Sequence, residues 1–371
     1  VPTPAVLNRG ARWAVLAVVV GVLVATPSLV ARLPARDSPA TAPELLSAVR
    51  ASAELPYSGY AESVGGVSLP QATQLSSLTD LFGDTTRTRS WYRGPQQWRV
   101  DTLSATGETD LYRDAGGTWS WDFESDTAVR SVDLAVRLPR AADLVPPALG
   151  RRLLSEATDA EVTRLPAARV AGRDAPGLQL HPADPRSTIA AVDVWVDPGT
   201  GIPLRVVVHA VGAQRASLSS SFLEFTPAEP AAGVTTFTPP PGATVRTEQP
   251  DDLVAAAQQA GVRTPDRLAG LPRRTGLSGV GADGGLGVYG RGVTTVIAVA
   301  VPGRTARQLR AELTTAPGAL TDSTGTTLAV DPLTVRLTAP GPRGLAWLLV
   351  GTVTADPLAA AAAELAAVRL R

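Results

Sequence analysis

The sequence predicts an α+β protein built mainly on antiparallel sheet, carried behind an N-terminal membrane segment. Three observations lead there. Short stretches that alternate apolar and polar side chains recur along the chain, as in QWRVDTL at 97–103 and TWSWDF at 118–123. That period of two marks strands with one buried and one open face. Glycine and proline are abundant, at 34 and 32 residues, and punctuate those stretches, which favours hairpins over a helical or doubly wound fold. Finally, Trp13 to Ala31 is a run of 19 residues without a charge.

That run sets the compartment. As a helix it rises roughly 28 Å, about the hydrocarbon thickness of a bilayer. Arg9 and Arg12 precede it and no acid does, so the N-terminus is expected in the cytoplasm and the remainder outside. The segment reads as a single-pass anchor or as a cleaved signal peptide. Its densest part, Trp13 to Ala25, suits the apolar region of a signal, but no clean A-x-A site follows. A buried core helix is the bland alternative. Export holds under both main readings, giving a membrane-anchored or secreted protein.

Composition narrows the chemistry. Arginine supplies all 34 Lys+Arg and balances 34 acids, so the chain lacks the positive field that nucleic acid needs. With no cysteine, disulfides, thiolate metal sites, cysteine nucleophiles and a lipid-modified N-terminal cysteine are excluded.

Residues 32–43, with Pro34, Pro39 and Pro43, read as a stiff linker. Pro43-Glu44 opens a short helix with Leu45, Leu46, Val49 and Ala53 on one side. Strands are expected over Tyr57–Val64, Thr85–Tyr92, Gln97–Leu103, Glu108–Arg113 and Thr118–Phe123. Gly94-Pro95, Gly107 and Gly116-Gly117 turn between them. Pro139–Thr158 breaks the pattern: Leu144, Leu149, Leu153 and Leu154 suggest helices crossing the sheet, interrupted at Pro146-Pro147. The sheet resumes with a hairpin at Ala168–Leu180, with Ala191–Val196 and Leu204–Val211 around a Gly/Pro turn, and with Ser217–Phe225.

From Pro250 a second unit begins. A helix capped by Asp251-Asp252 covers Leu253–Ala260. Strands follow at Val293–Val301, Leu333–Thr338 and Leu345–Val353, with helices over Thr305–Thr314 and from Asp356-Pro357 to about Leu370. The boundaries are therefore 1–36 for the anchor or signal with its linker, 37–247 for the sheet domain and 248–371 for the small α+β domain.

Several motifs resemble the LolA/LppX/RseB-like family of exported proteins. They are VWVDPGTGIPLR at 194–205, FLEF at 222–225 and FTPPPGA at 237–243. Upstream, PYSG at 56–59, WYRGPQQWRV at 91–100 and WSW at 119–121 fit the same order. The match spans about residues 43–245. The resemblance implies a curved antiparallel half-barrel closed by a helical lid, with acyl chains or hydrophobic peptides held between sheet and lid. Two-domain members of the RseB kind bind an anti-sigma factor outside the membrane.

Under that resemblance the ligand-facing residues are Trp98, Val100, Trp119, Trp121, Phe123, Val194, Val196, Leu204 and Val206. The alternative is an ordinary core beneath a helix. A carrier cavity needs only shape and apolar surface, so it leaves little trace in sequence.

No catalytic or metal constellation emerges, and no cofactor is expected. GVGADG at 279–284 matches G-x-G-x-x-G, but no apolar strand leads in, so it reads as a glycine-rich loop. His181 and His209 are the only histidines and lack companion ligands at matched spacing. Ser278 lacks the nucleophile-elbow pattern. Asp193 and Asp197 flank Trp195, where a solvated face or a turn contact outweighs a carboxylate pair. The expected function is non-enzymatic binding of lipid or acylated protein at the outer face of the cytoplasmic membrane, as carrier or sensor. The alternative partner is an anti-sigma factor or a transporter component. An envelope hydrolase is disfavoured.

Overall fold

A computed structural model describes residues 34–66, 85–104, 107–131, 137, 139–247, 262–277, 284–341 and 344–367. The apolar run at 13–31, the helix expected over 253–260 and nearly all of the 279–284 glycine run lie outside them. No helix among the described residues is long and apolar enough to cross a membrane.

Helix α1, Ala42–Ala51, opens the described chain. Thr41 and Glu44 cap it reciprocally: Thr41 N donates to Glu44 Oε2 at 2.7 Å, and Glu44 N to Thr41 Oγ1 at 3.4 Å. Six strands then run as a meander: β1 Tyr57–Gly65, β2 Thr85–Gly94, β3 Gln97–Leu103, β4 Glu108–Asp114, β5 Gly117–Asp122 and β6 Thr127–Ser131. Helices α2, Ala141–Leu144, and α3, Pro146–Leu154, cross over to a second meander. Its strands are β7 Val162–Val170, β8 Arg173–Leu180, β9 Ile189–Val196, β10 Pro203–Ala210 and β11 Leu218–Thr226. Strand β12, Thr244–Thr247, ends this part.

The two meanders join where β11 pairs with β1, giving one twelve-stranded sheet ordered β12-β6-β5-β4-β3-β2-β1-β11-β10-β9-β8-β7. Its end strands β12 and β7 are not paired with each other, so the curved sheet stays open. Every pairing is antiparallel except β12 on β6.

The concave face is apolar and the helices cover it. Val192, Val194 and Val196 of β9, Val206 and Val208 of β10 and Leu178 of β8 pack against Leu45, Leu46 and Val49 of α1 and Leu149 and Leu154 of α3. Leu144 ends α2, so its carbonyl is among the terminal acceptors with no donor in the helix and needs another partner. Ser220 Oγ donates to it at 2.5 Å and Ser63 Oγ at 3.4 Å, which pins the bend between α2 and α3 onto β11 and β1. The turn between β9 and β10 wedges beneath α1. Gly201 lies there with φ +70°, and a Cβ on it would meet the Ala48 backbone at 2.7 Å.

A smaller antiparallel sheet follows, ordered β15-β16-β20-β19-β18-β17, after the two-residue strands β13 Arg267–Leu268 and β14 Leu271–Pro272. Its strands are β15 Leu286–Arg291, β16 Thr294–Val301, β17 Leu320–Asp322, β18 Gly325–Val330, β19 Leu333–Thr338 and β20 Ala346–Gly351. Helix α4, Gly303–Thr315, buries Ala306 and Leu313 against Leu328 and Leu337 on one face. Helix α5, Ala355–Ala367, buries Leu358, Ala361 and Leu365 against Ala298 and Leu349 on the other.

Backbone links tie this sheet to the large one. Thr188 N donates to Thr352 O at 3.1 Å and Thr354 N to Arg186 O at 2.9 Å, around a bridge between Ser187 and Val353.

Gly150 sets how closely α3 approaches the sheet: a Cβ there would sit 2.9 Å from the Pro203 side chain and 3.2 Å from Val206. Gly150→Leu is therefore expected to cost about 1–3 kcal/mol in a urea unfolding titration of the full chain. Gly233→Ala, which meets nothing within 4 Å, should leave the midpoint nearly unmoved.

Candidate functional site

Two concave spaces flank helix α3. The first lies between α2–α3 and the β1–β5 half of the large sheet. Tyr57, Tyr92, Trp98 and Val100 floor it, Val145 and Ala148 roof it, and Arg137, Arg140 and Arg151 stand at its edge. The floor is an aromatic stack: Tyr57 and Tyr92 lie 5.1 Å apart with rings 15° from parallel, and Arg151 sits 5.3 Å over Tyr92. The arginines are engaged. Arg137 grips Asp143 with both terminal nitrogens, at 2.6 and 2.9 Å, and Arg151 donates to Ser52 O. Burial chiefly, eased in part by the nearby Arg151 charge, raises the Tyr57 hydroxyl pKa well above the usual phenol value.

This pocket has a volume of ≈ 110 Å³. In the other half of the sheet–helix interface α1 and α3 fill the space with side chains.

Register decides where the expected ligand residues fall. Trp98 pairs with Arg113 and Arg113 with Thr118, so these three share the lid side. Trp119 and Trp121 point to the opposite, outer face of the sheet. There Phe237, on the segment after β11, covers them with ring centroids 5.6 and 6.0 Å away. Phe123 stacks edge-on against Trp121 at 5.6 Å and is half exposed. Trp98 and Trp119 thus lie on opposite faces of the sheet, so the expected ligand residues do not form one continuous surface. Trp98 and Val100 do line the lid pocket. Val194, Val196, Leu204 and Val206 are buried, with at most 1% exposure, in the core under the helices.

The second space is a cleft of ≈ 250 Å³ between the two sheets, and sequence reasoning did not find it. Its floor is apolar: Leu153 from α3, Ala157, Leu180 at the end of β8, Leu271 and Pro272 of β14, and Val293. Charged side chains form the walls. Arg291 pairs with Glu161 at 2.6 Å, and Arg274 with Glu156 at 2.9 Å. Arg186 pairs with Asp184 at 2.7 Å and donates to Ala269 O at 2.8 Å. Gly292 N, in the turn between β15 and β16, donates to Glu156 Oε2.

Glu161 is the hub of the joint and only 8% exposed. Its burial favours the neutral acid. Donation from Arg291, and from the backbone N–H groups of Thr158 at 2.9 Å and Ala183 at 3.1 Å, outweighs that and holds its pKa down at about 2. Its only sequence trace is T-D-A-E at 158–161; its partner Arg291 lies 130 residues away.

The histidine and aspartate candidates have structural roles. His209 Nε2 lies 2.9 Å from Asp193 Oδ2, and Gln179 Nε2 donates to Asp193 Oδ1, a ladder across β8–β10. Asp197 is buried and organises its turn, accepting from Thr200 N at 3.0 Å, Thr200 Oγ1 at 2.8 Å and Arg173. Asp193 and Asp197 therefore form no carboxylate pair.

No family profile and no curated protein matches the chain. Solved structures similar to it include MucB in complex with MucA(peri), at 17% identity over 86% of this chain and 97% of that one, with a TM-score of 0.48. The MucA/MucB complex of Pseudomonas aeruginosa is similar at 18% identity, over 86% and 95%, with a TM-score of 0.48. A LolA superfamily protein of Nitrosomonas europaea is similar at 13% identity, over 53% and 98%, with a TM-score of 0.25. An open antiparallel sheet, helices on its concave side and a smaller second sheet are what the motif resemblance implies.

The Glu161 joint gives an acid-dependent prediction. Its pKa is lowered from the ordinary 4.5, so its stabilisation is complete above about pH 4.5 and is lost as pH falls toward about 2. Small-angle scattering of the full chain in detergent should show the two sheets separating over that window. Arg291→Ala should bring the separation to higher pH.

Proposed function

We propose that the chain is a non-enzymatic binding protein outside the cytoplasmic membrane that captures an extended, partly apolar segment of a membrane-linked protein in the cleft between its sheets. The partner class that the motif resemblance points to is an anti-sigma factor, which makes the chain an RseB-like regulator. The cleft carries this reading. An apolar floor between rows of paired charges suits a peptide, whose side chains bury on Leu153, Leu180, Leu271 and Val293 while its amides meet Glu and Arg at the walls. A bare acyl chain offers those walls nothing. Division at 37–247 and 248–371 fits this function, because each part then supplies one wall. The apolar run at 13–31 supports placement outside the membrane.

A second reading, binding of lipid or acylated protein, rests on the arginine-edged aromatic pocket beneath α2–α3. At ≈ 110 Å³ that pocket is less than half the size of the ≈ 250 Å³ cleft, and an acyl chain enters it only if the lid lifts.

The test uses the full chain in detergent against an array of peptides from the extracytoplasmic regions of membrane proteins of the same cell. Selective capture of extended apolar peptides is expected. Leu153→Glu, at the cleft floor, should weaken it by roughly tenfold or more, and Val211→Glu, at an exposed site elsewhere, should not. No peptide binding, together with co-purifying lipid found by mass spectrometry, would favour the second reading.

A further inference from the structure

The outer face of the large sheet holds a buried acidic pair that the binding role does not use. Asp101 on β3 and Asp110 on β4 are direct cross-strand partners, 3% and 0% exposed. Like charges placed opposite each other on a sheet repel, and burial adds a desolvation cost to each. One oxygen of Asp101, one of Glu108 and one of Asp110 lie within 4.8 Å of one another.

The hydrogen bonds leave one position unfilled. Arg99 Nε donates to Asp101 Oδ1 at 2.5 Å, and Arg99 Nη2 to Asp110 Oδ2 at 2.8 Å. Tyr112 Oη donates to Asp110 Oδ2 at 3.1 Å. Asp110 Oδ1 is buried and has no partner among the described residues. Only carboxyls are at hand to serve it, and the cross-strand Asp101, buried where Glu108 is partly exposed, is the one whose charge burial most disfavours; it can donate only when protonated.

Among the described residues, no second cation reaches Asp110 Oδ1. Arg89, opposite Asp101 on β2, stacks over Tyr60 at 5.8 Å. Glu108 adds a third acid, 4.0 Å from Arg99, and its backbone N donates to Glu124. On β5 the residue opposite Asp110 is Trp121, which carries no charge. A divalent ion is a poorer occupant, since the Arg99 guanidinium already stands between the carboxylates and is sandwiched 5.1 Å from Trp91 and 4.9 Å from Tyr112.

The segment after β11 closes over this patch as a strap. Gln97 Nε2 donates to Thr235 Oγ1 at 3.0 Å, Arg93 pairs with Glu229 at 2.5 Å, and Phe237 lies 4.8 Å from the Tyr112 ring. The Asp110–Tyr112–Phe237 contacts connect the acidic pair to the strap.

We propose that Asp101 and Asp110 share one proton as a carboxylic acid–carboxylate pair, Asp101 donating to Asp110 Oδ1, and that this proton fastens the 229–247 strap to the sheet. On release the proton passes to solvent and leaves two facing carboxylates, which the strap's opening relieves by admitting water. Consistent with this, burial foremost, then the facing Asp110, offset only in part by Arg99, pushes the Asp101 pKa up to about 7. A raised acid stabilises the closed form below its free pKa of about 4. That contribution is lost progressively as pH rises to about 7, and the loss is complete above it.

Hydrogen exchange of the full chain in detergent, corrected for intrinsic rates, tests the pair. Protection of strap amides in 229–247 should fall by about tenfold per pH unit between about pH 4 and about pH 7, then level off. In Asp101→Asn the amide can donate to Asp110 Oδ1 while its oxygen accepts from Arg99, so protection should stay high and flat. Asp110→Asn should also flatten the profile, and covers the case in which the first variant does not fold. On the wild-type chain, the infrared carbonyl band of a buried protonated carboxyl should fade over the same window. A flat wild-type profile, or an unchanged slope in both variants, overturns the proposal. So does recovery of strap protection at neutral pH on adding Ca²⁺, if Glu108→Gln abolishes it, because the cluster is then a cation site.

Discussion

The large sheet has one apolar face, and keeping water off that face is the constraint from which the rest of the structure follows. An open sheet of twelve strands cannot bury its own concave side, as a closed barrel does. Three short helices do it instead. They reach far enough only because α3 lies flat on β10, at a distance that Gly150 permits, and because α1 rides on the Gly201 turn. The Leu144 carbonyl, held by two serines from adjoining strands, fixes the bend that lets α2 and α3 follow the curvature. Where the helices press hardest the interface is filled by valine and leucine. Where they run out, over β1–β5, aromatic rings leave a small gap.

Much of this was legible in sequence. Alternation at 97–103 and 118–123 identified β3 and β5, because one face of each is polar and the period of two survives. The resemblance motif at 194–205 is a structural device: Asp197, Thr200 and Gly201 build the turn that supports α1. What alternation does not encode is which side of a sheet an apolar face looks toward. Trp119 and Trp121 are a genuine apolar row, but their direction is fixed by pairing through β4 to Trp98, a relation between strands that no single strand displays.

The small sheet was harder to read for a different reason. Helices cover both of its faces, so a strand such as GTTLAV at 325–330 has buried residues in succession and no alternation. The cleft was invisible altogether. Glu156, Glu161, Arg274 and Arg291 are ordinary surface-type residues in sequence, and they become a site only when residues more than a hundred positions apart meet.

The difference between the two cavities follows from how their walls are held. The lid pocket is roofed by helices whose attachment is mostly apolar packing, so widening it exposes the very surface the fold exists to hide. The cleft between the sheets is held open by charge. Glu161 accepts from both parts of the chain at once, and Glu156 receives Arg274 and Gly292 from the far wall. Those bonds span the joint and fix its two walls at a set separation, above a floor in which Leu180, Leu271 and Val293 are already packed into the core.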